Sequence, residues 1–477
     1  MRRAVTAVAA ACLLSAPTVL AFFSGGFFTE PRLVAALIGW ALVAALAASG
    51  PAPLPRGVPG ALALGGLGLM TAWSAASIAW APLGGPAVQS VQRLLLYLAA
   101  LLVAIGVLRS RRILRAVEPA LAAGITAVVG YGLSGRLLPG IVELSRSESA
   151  GGRLEQPITY WNAEGALAAV GFILAARVAG DGSRPRAVRA VAAAAVVPLG
   201  AGVYLSFSRG AIAVALLGLL VLAALAPERA QLHAAATALA SGVLAATCCA
   251  VSPAVSALEG SPGDRSRDGA IVLGLLAVIA AVAVLATLRW TRRRPEETAP
   301  PWARHLRPIA AAGVCVALLG LVVGSLGERP SHEELARGAE AGRLGSVSSN
   351  RYEYWRVGLG AFARQPLTGV GAGGFRVEWL REREFREAVK DAHSLEVEMA
   401  AELGLIGLLG LVLLAGGVAA AGVAAMRCSP AAAAGPAAAT LAFGLHASID
   451  WDWQLPAVTL PAIVLAGALV VLSDDAR

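Results

Sequence analysis

The sequence predicts an all-α fold, namely a polytopic transmembrane protein of about 12–14 spans with one large extracytoplasmic loop that contains short amphipathic helices. Two observations of composition predict membrane insertion, since 57% of the 477 residues are hydrophobic and only 14% are charged. A third observation predicts helices, because the apolar runs are long and do not alternate with polar residues. A run of about 20 apolar residues is long enough to cross a hydrocarbon core of about 30 Å.

The apolar runs divide the chain into three parts. The predicted spans centre on 5–23, 32–49, 60–80, 90–107, 114–133, 162–180, 187–205, 209–226, 231–250, 269–289, 308–327, 403–425, 430–448 and 454–472. We therefore predict N-terminal transmembrane helices over 1–327, a large extracytoplasmic loop over 328–402 and C-terminal transmembrane helices over 403–477. The first run has the length of a span and exceeds the short apolar core of a signal peptide.

Arginines in the short connections predict the orientation. They concentrate in alternate connections, as they do in cytoplasmic loops. The basic connections contain Arg2 and Arg3, Arg109 to Arg115, Arg184 to Arg189, Arg229, and Arg289 to Arg307. The net charge of +9 is therefore interpreted as a topological signal, and no nucleic acid is expected as a partner. We predict that both termini are cytoplasmic and that the active site lies on the outer face of the cytoplasmic membrane.

The sequence predicts neither a metal site nor a cofactor. All five cysteines lie in or beside apolar runs, so no disulfide framework or thiolate site is expected in the long loop. The chain has no HExxH motif and no Walker pattern.

Ser208 and Arg209 open the eighth predicted span. A guanidinium at the end of a span is costly to bury unless it is paired or hydrated. The orientation places Arg209 outside, against the positive-inside tendency. Its small neighbours and the N–H groups of the following helix would let an anion approach closely, so both residues are expected to contact an anionic substrate. The alternative is an arginine that reaches the interface and caps a helix boundary.

Arg153 and the run Tyr160-Trp161-Asn162 precede the sixth predicted span. We predict that Arg153 and Asn162 bind substrate. The alternative is an aromatic belt at the interface with an asparagine cap.

The long loop supplies two further candidates in one segment. The run Arg351-Tyr-Glu-Tyr-Trp355 has helical spacing and continues into apolar positions, which predicts an amphipathic helix on the membrane surface. Arg351 and Trp355 would share one face of it. The alternative is a helix that only packs, with Arg351 in a salt bridge to Glu353 or another acid of the loop.

A glycine-rich turn and a histidine follow in the same loop. Gly369 and Gly371 have the conformational freedom to let backbone N–H groups surround a phosphate, although such a run alone is weak evidence. His393 is expected to move a proton at neutral pH, the alternative being a surface histidine that caps a helix. Asp450 and Asp452 lie between the last two spans, where they either line the mouth of the site or cap helices.

Together these residues resemble the O-antigen ligase / O-antigen polymerase superfamily of bacterial membrane glycosyltransferases. The resemblance covers roughly residues 150–475. It is carried by Tyr160-Trp-Asn162-Ala-Glu-Gly165, Ser206-Phe-Ser-Arg-Gly-Ala211, Arg351 to Trp355, Pro366-Leu-Thr-Gly-Val-Gly371, Phe375, His393-Ser394, Glu402-Leu-Gly-Leu-Ile-Gly407 and Asp450-Trp-Asp-Trp-Gln-Leu-Pro456. The family core commonly has about twelve spans, fewer than predicted here, and in both cases three spans follow one large outer loop.

The resemblance implies transfer of a glycan from a polyprenyl-diphosphate carrier to a glycan, lipid or cell-wall acceptor outside the cytoplasmic membrane. Arg209 and Arg351 would hold the diphosphate and stabilise it as a leaving group, since arginine binds phosphates with two parallel hydrogen bonds. His393 would contact or deprotonate the acceptor hydroxyl. Membrane lipid is a further expected partner.

Three alternatives to a ligase remain open from the sequence. A repeat-unit polymerase of the same superfamily would use the same donor. A small-anion transporter would require polar groups or broken helices at the membrane midplane, and the predicted spans contain few charges. A structural component of a polysaccharide export complex would not depend on Arg209 or His393.

Overall fold

The computed structural model describes residues 2–50, 53–292, 298–324 and 350–475, which form helices joined by short connections and contain no β-strand. The helices are α1 (Arg2–Ala21), α2 (Thr29–Ser49), α3 (Val58–Ser77), α4 (Gly84–Leu108), α5 (Arg111–Leu137), α6 (Trp161–Gly180), α7 (Arg186–Leu205), α8 (Arg209–Leu225), α9 (Arg229–Ala250), α10 (Pro253–Ser256), α11 (Pro262–Arg292), α12 (Leu306–Gly324), α13 (Arg351–Arg364), α14 (Phe375–Glu382), α15 (Leu395–Cys428), α16 (Pro430–Ala447) and α17 (Pro456–Asp474).

The all-α membrane class is confirmed. Each of the fourteen predicted spans coincides with a helix, and 11 helices of the described residues are long and apolar enough to cross a membrane. The apolar helix α8 is shorter, with 17 residues, and α12 and α16 are not among the 11. The end of the predicted span 308–327 and residues 328–349 of the predicted loop lie outside the described residues.

The helix-like run at the end of the predicted loop is continuous with the first of the C-terminal helices. The helix α15 begins at Leu395, whereas the predicted loop continues to residue 402. Its polar first two turns carry Glu398 and Glu402, and a break follows at Gly404, where φ is +63°. The loop therefore joins the bundle through a helix whose first part is polar and buried.

Two helices form the centre of the bundle. The apolar stretches of α6 and α17 are entirely buried inside the protein, whereas those of α2 and α11 are mostly exposed. Small residues let other helices approach closely, as is common in membrane proteins. A Cβ atom at Gly66 of α3 would lie 2.4 Å from the backbone nitrogen of Leu414 in α15, so these two helices touch through their backbones.

Polar residues collect at the two ends of the bundle. At the basic end, where α7 and α16 begin and α6 and α17 end, Glu118 lies 2.8 Å from Arg184 and 3.9 Å from Arg177. At the site end, α15 and α17 begin and α3 and α16 end. The predicted candidate residues lie at the site end.

Candidate active site

Asp450 is the centre of a buried hydrogen-bonded cluster. It is 1% exposed. Its Oδ1 accepts from the Tyr160 hydroxyl at 2.7 Å, and its Oδ2 accepts from Asn162 Nδ2 at 2.8 Å and from Arg351 Nη2 at 2.5 Å. Asn162 Nδ2 also donates to the Tyr160 hydroxyl at 2.8 Å. The cluster joins the start of α6, the start of α13 and the α16–α17 connection, so three predicted site residues meet there.

The cluster contains an ion pair at neutral pH. Burial opposes ionisation of Asp450, but the charges of Arg351 and His393 outweigh this effect and hold the pKa of Asp450 below its ordinary value. Burial disfavours the charge on Arg351, yet the Asp450 carboxylate raises its pKa. Burial and then the Asp450 charge raise the pKa of Tyr160 well above its ordinary value, so Tyr160 stays a donor.

Arg351 pairs with an acid outside the long loop. The sequence left open a salt bridge between Arg351 and Glu353. In the structure Glu353 is instead bound by Arg356, whose Nη2 and Nε lie 2.5 and 3.0 Å from the carboxylate. The partner of Arg351 lies 99 positions along the chain, so this pairing ties α13 to the last two transmembrane helices.

His393 lies beside the ion pair. Its ring contacts those of Tyr354 and Trp451, with centroid separations of 5.0 and 6.2 Å. Its Nδ1 lies 3.0 Å from the carbonyl oxygen of Asp391. A neutral ring that donates from Nδ1 to this carbonyl leaves Nε2 as a proton acceptor. Burial lowers the pKa of His393 from 6.5 and so favours that neutral form.

Backbone strain is concentrated next to the candidate residues. Five non-glycine residues among those described have positive φ, and three of them are Thr159, Phe207 and His393. Thr159 precedes the Tyr160–Asn162 run, and Phe207 precedes Ser208 and Arg209. Strained backbone of this kind persists where surrounding structure holds it, and it clusters at functional sites. Three separate segments of the site end therefore carry the same geometric signal.

Ser208 and Arg209 begin α8 next to the segment that carries Asp450. Ser208 caps the helix, since its hydroxyl accepts from Ala211 N at 3.2 Å. A Cβ atom at Gly210 would lie 2.7 Å from Ile449 and 3.1 Å from His446 Nε2. The first turn of α8 thus packs against the end of α16, one residue before Asp450.

Arg153 and Trp355 have extensive contacts within the protein. Arg153 Nε and Nη2 donate to backbone carbonyls at 2.6 and 2.7 Å, and its guanidinium lies 3.5 Å from the centroid of the Trp161 ring. Trp355 is 8% exposed and belongs to the apolar cluster beneath α13. Both residues therefore support the local fold of the site end, and their predicted contact with substrate stays a prediction.

The glycine-rich turn surrounds a carboxylate of the protein itself. The backbone N–H groups of Gly373 and Phe375 donate to the Glu402 carboxylate at 2.7 and 3.1 Å. The N–H groups of Gly369 and Gly371 donate to the carbonyls of Gln365 and Glu402 at 3.0 and 2.9 Å. Their positive φ values of +67° and +94° let the turn press against α15 and the α3–α4 connection. A phosphate-binding role for Gly369 and Gly371 stays a prediction, and the structure shows a packing role for them.

The sequence reasoning missed two groups of polar residues at this end. One is His446, which pairs with the candidate Asp452, since His446 Nδ1 and Asp452 Oδ2 lie 2.5 Å apart and the two residues are 1% and 0% exposed. The other is a cavity lined by Arg32 and Arg93, which lie within or at the start of predicted spans. Charged residues inside apolar runs are a signal that was available for Arg93.

The fold and the site define a multi-pass helical membrane protein with a polar centre at one end of its bundle. The O-antigen ligase family matches residues 270–412. The matched segment contains Arg351, the glycine-rich turn and His393, whereas Arg209 and Asp450 lie outside it. The match confirms the resemblance to the O-antigen ligase superfamily drawn from the sequence, and that family is associated with glycosyltransferase-like membrane enzymes. A search of curated proteins found no match.

Proposed function

We propose that this protein is an O-antigen ligase-like glycosyltransferase that moves a glycan from a polyprenyl-diphosphate carrier to an acceptor on the outer face of the cytoplasmic membrane. One observation carries the proposal most directly. Arg351 and His393 both lie inside the family match, and Arg351 donates to the buried Asp450 carboxylate while His393 contacts the ring of the next residue, Trp451. A fixed cation beside a neutral histidine suits the departure of a diphosphate and the loss of a proton from a hydroxyl.

The transfer step assigns one role to each group. An oxygen of the acceptor hydroxyl forms a bond to the anomeric carbon of the glycan, and the bond from that carbon to the diphosphate oxygen breaks. The electron pair leaves with the polyprenyl diphosphate, whose growing charge is stabilised by Arg209 and Arg351. His393 Nε2 takes the hydroxyl proton and later releases it to water.

Asp450 acts in this proposal as a positioning residue. Its two oxygens already accept hydrogen bonds from Tyr160, Asn162 and Arg351, and it is almost fully buried. A guanidinium held by such a partner keeps a fixed direction, and fixed charges stabilise a transition state better than mobile ones. Asn162 and Ser208 would complete the walls around the donor.

The test uses a strain that lacks the protein and is complemented with Arg209→Ala, Arg351→Ala or Arg381→Ala. Arg381 is an exposed residue of α14, paired with Glu378, and its variant is the control. We expect transfer rates to fall by about 100-fold or more in the first two variants, with membrane levels unchanged in all three. Measurement is by the length distribution of glycans on the lipid carrier.

Each distribution has a distinct meaning. Long glycans that accumulate on the carrier support a ligase. Single repeat units on the carrier would replace the ligase with a polymerase of the same superfamily. If the pool of carrier-linked glycans is unchanged in the absence of the protein, the ligase and polymerase functions are both rejected. A transporter or a structural component of an export complex would then be favoured.

A further inference from the structure

A second polar site lies beside the candidate active site. It is a cavity of about 200 Å³ among the starts of α2, α4 and α15, the glycine-rich turn and residues 390–391. Phe28, Gln89 and Lys390 at its mouth are exposed, whereas Arg32 and Arg93 are 2% and 5% exposed. The volume is well above that needed for one water molecule. The cavity is therefore an opening in the site end that leads to buried arginines.

The buried arginines are under-satisfied. Arg32 donates from Nη1 to the Phe27 carbonyl at 2.8 Å, while its Nε and Nη2 have no partner among the described residues. Arg93 reaches only Ser90 Oγ, at 3.5 Å from Nη2, and its Nε has no partner there. Among the described residues neither has a salt bridge within 4.0 Å, although Arg93 is close enough to Asp391, Glu398 and Glu402 to attract their charges. Burying a cation without a partner costs several kcal/mol in general, so the fold keeps these charges at a cost.

Two more cations and three acids complete the lining. Arg376 and Lys390 bring the cations to four, while Asp391, Glu398 and Glu402 are the carboxylates. Two of these carboxylates are held by other donors of the protein. Glu402 accepts from two backbone N–H groups of the glycine-rich turn, and Glu398 accepts from Gln454. The lining therefore contains one more cation than carboxylates, and two of the carboxylates already accept hydrogen bonds from other donors.

The cavity and the Arg351–Asp450 pair are adjacent but separate. Trp451 contacts His393 on one side and Phe27, a residue of the cavity wall, on the other, with ring centroids 6.2 and 5.6 Å apart. Asp391 lines the cavity two positions before His393. The proposed proton acceptor thus lies near two arginine sites, one with a salt bridge to a carboxylate and one without a salt bridge among the described residues.

We propose that the Arg32–Arg93–Arg376 cavity is a second oxyanion site, which binds a phosphoryl or carboxylate group carried by the acceptor. The oxyanion part rests on the cavity alone, and the assignment to the acceptor rests on the proposed transferase function. Arginine forks match phosphate and carboxylate geometry. A donor diphosphate held by Arg209 and Arg351 and an acceptor anchored here would approach His393 from two sides.

The first test measures anion binding without any reaction. Full-length protein in nanodiscs of zwitterionic lipid is titrated with inorganic phosphate, and separately with acetate, at constant ionic strength set with chloride. The readout is the melting temperature by intrinsic tryptophan fluorescence. We expect saturable stabilisation of the wild type, because a ligand that binds only the folded state raises its stability. Stronger stabilisation by phosphate would identify a phosphoryl ligand, and stronger stabilisation by acetate a carboxylate.

Matched variants locate the site. When Arg351→Gln is also present to weaken the proposed donor site, Arg32→Gln and Arg93→Gln should lose the anion-dependent increase, and Arg376→Gln should weaken it about tenfold in apparent affinity. Arg381→Gln, on the same helix as Arg376 but paired with Glu378, should keep it. The increase should also survive in Arg351→Gln. No increase in the wild type, an increase lost in Arg351→Gln alone, or an increase retained when Arg93→Gln is added to Arg351→Gln would each overturn the oxyanion site. Arg376→Gln, a partly exposed position, decides the question if the buried variants fail to fold.

The second test assigns the ligand. In a transfer assay, Arg376→Gln should raise KM for the acceptor about tenfold and leave KM for the polyprenyl-diphosphate donor unchanged. A raised donor KM with an unchanged acceptor KM would overturn the assignment to the acceptor. A wild-type protein that binds phosphate but transfers no glycan would refute the proposed function and leave the oxyanion site standing.

Discussion

Arg177 at the basic end and Arg93 at the site end are both buried arginines of transmembrane helices, but their surroundings differ. Arg177 Nη1 donates to Gln231 at 3.0 Å, and the carboxylates of Glu118 and Asp181 lie 3.9 and 3.8 Å away. Arg93 has one hydrogen bond, at 3.5 Å, and no ion pair among the described residues. The exposed fractions are nearly equal, 4% and 5%.

The difference indicates that Arg177 stabilises the fold, whereas Arg93 is available to bind a ligand. A buried ion contributes to a fold only when partners replace the water it has lost. Arg177 has such partners on α5, α9 and the α6–α7 connection, so it ties helices together. Arg93 faces a cavity whose carboxylates attract it from a distance without a salt bridge within 4.0 Å among the described residues, so its donors remain available to a ligand. Burial alone would have classed the two residues together.

The largest expected effect contrasts these two positions directly. Arg177→Met should lower the free energy of unfolding by about 3–5 kcal/mol, because it leaves Glu118 and Asp181 with less positive charge around them. Arg93→Met should lower it by about 1 kcal/mol or less, since it breaks no salt bridge within 4.0 Å among the described residues and removes only the weaker attraction to the carboxylates of the cavity. The measurement is reversible unfolding in mixed micelles. Equal losses in the two variants would remove the distinction between the two ends.

A second prediction concerns the arginine that is paired at the site end. Asp450→Asn keeps the shape of the side chain but removes the charge that holds Arg351. We expect the free energy of unfolding to fall by about 2 kcal/mol. This is less than for a fully buried salt bridge, because Arg351 is partly exposed. We expect a fall of about 30-fold in kcat/KM, as Arg351 becomes less firmly oriented. Glycan transfer kinetics and unfolding of the same preparation measure both.

Glu382→Gln is the matched control for this charge removal. Glu382 pairs with Arg364 at 2.7 Å, and both side chains are exposed by about a third or more. Exposed pairs contribute about 0–1 kcal/mol, so this variant should keep nearly full stability and activity. A loss in the control as large as that in Asp450→Asn would mean that Asp450 has no special part in positioning Arg351.

The sequence predicted the transmembrane helices well because lipid leaves the backbone few choices. An apolar run of span length must form its hydrogen bonds internally, so run length alone indicates a helix. The run from Leu395 to Glu402 was also expected to be helix-like, but its burial was not, because Glu396, Glu398 and Glu402 make it hydrophilic. Glu402 is buried against the glycine-rich turn, and Glu398 is buried against Gln454. Both partners are distant in the sequence, so these contacts become visible only in the folded structure.

The site was predicted in part for a similar reason. Arg351 and His393 stand out because they lie in a hydrophilic stretch, and Asp450 stands out because it interrupts an apolar pair of spans. The Asp450 oxygens accept hydrogen bonds from Arg351, Tyr160 and Asn162. These partners could not be predicted, because they depend on which helices pack together. Arg32 and Arg93 were missed because each is a single charge beside or inside an apolar run. Only the packing of α2 and α4 shows that both reach one cavity.

The smallest expected effect is a shift in the pH dependence of kcat/KM, which reports the protonation of His393 beside the Arg351–Asp450 pair. Burial lowers the pKa of His393 from 6.5, and the Asp450 charge partly opposes this. His393 is therefore neutral at pH 7. Below the lowered pKa the ring is protonated and cannot accept a proton, so kcat/KM should fall about tenfold per pH unit there, which forms the acid limb of the profile.

Asp450→Asn removes a nearby negative charge and so disfavours protonation of His393. The acid limb of this variant should therefore move to lower pH. His393→Gln should have a low rate without that limb. A limb that moves to higher pH in Asp450→Asn, or that persists in His393→Gln, would show that another group titrates. Arg376 lines the Arg32–Arg93 cavity, which contacts Trp451 through Phe27 and not through His393. Arg376→Gln should therefore leave the acid limb of kcat/KM at the same pH. The two arginine sites would then differ in their effect on the protonation of His393.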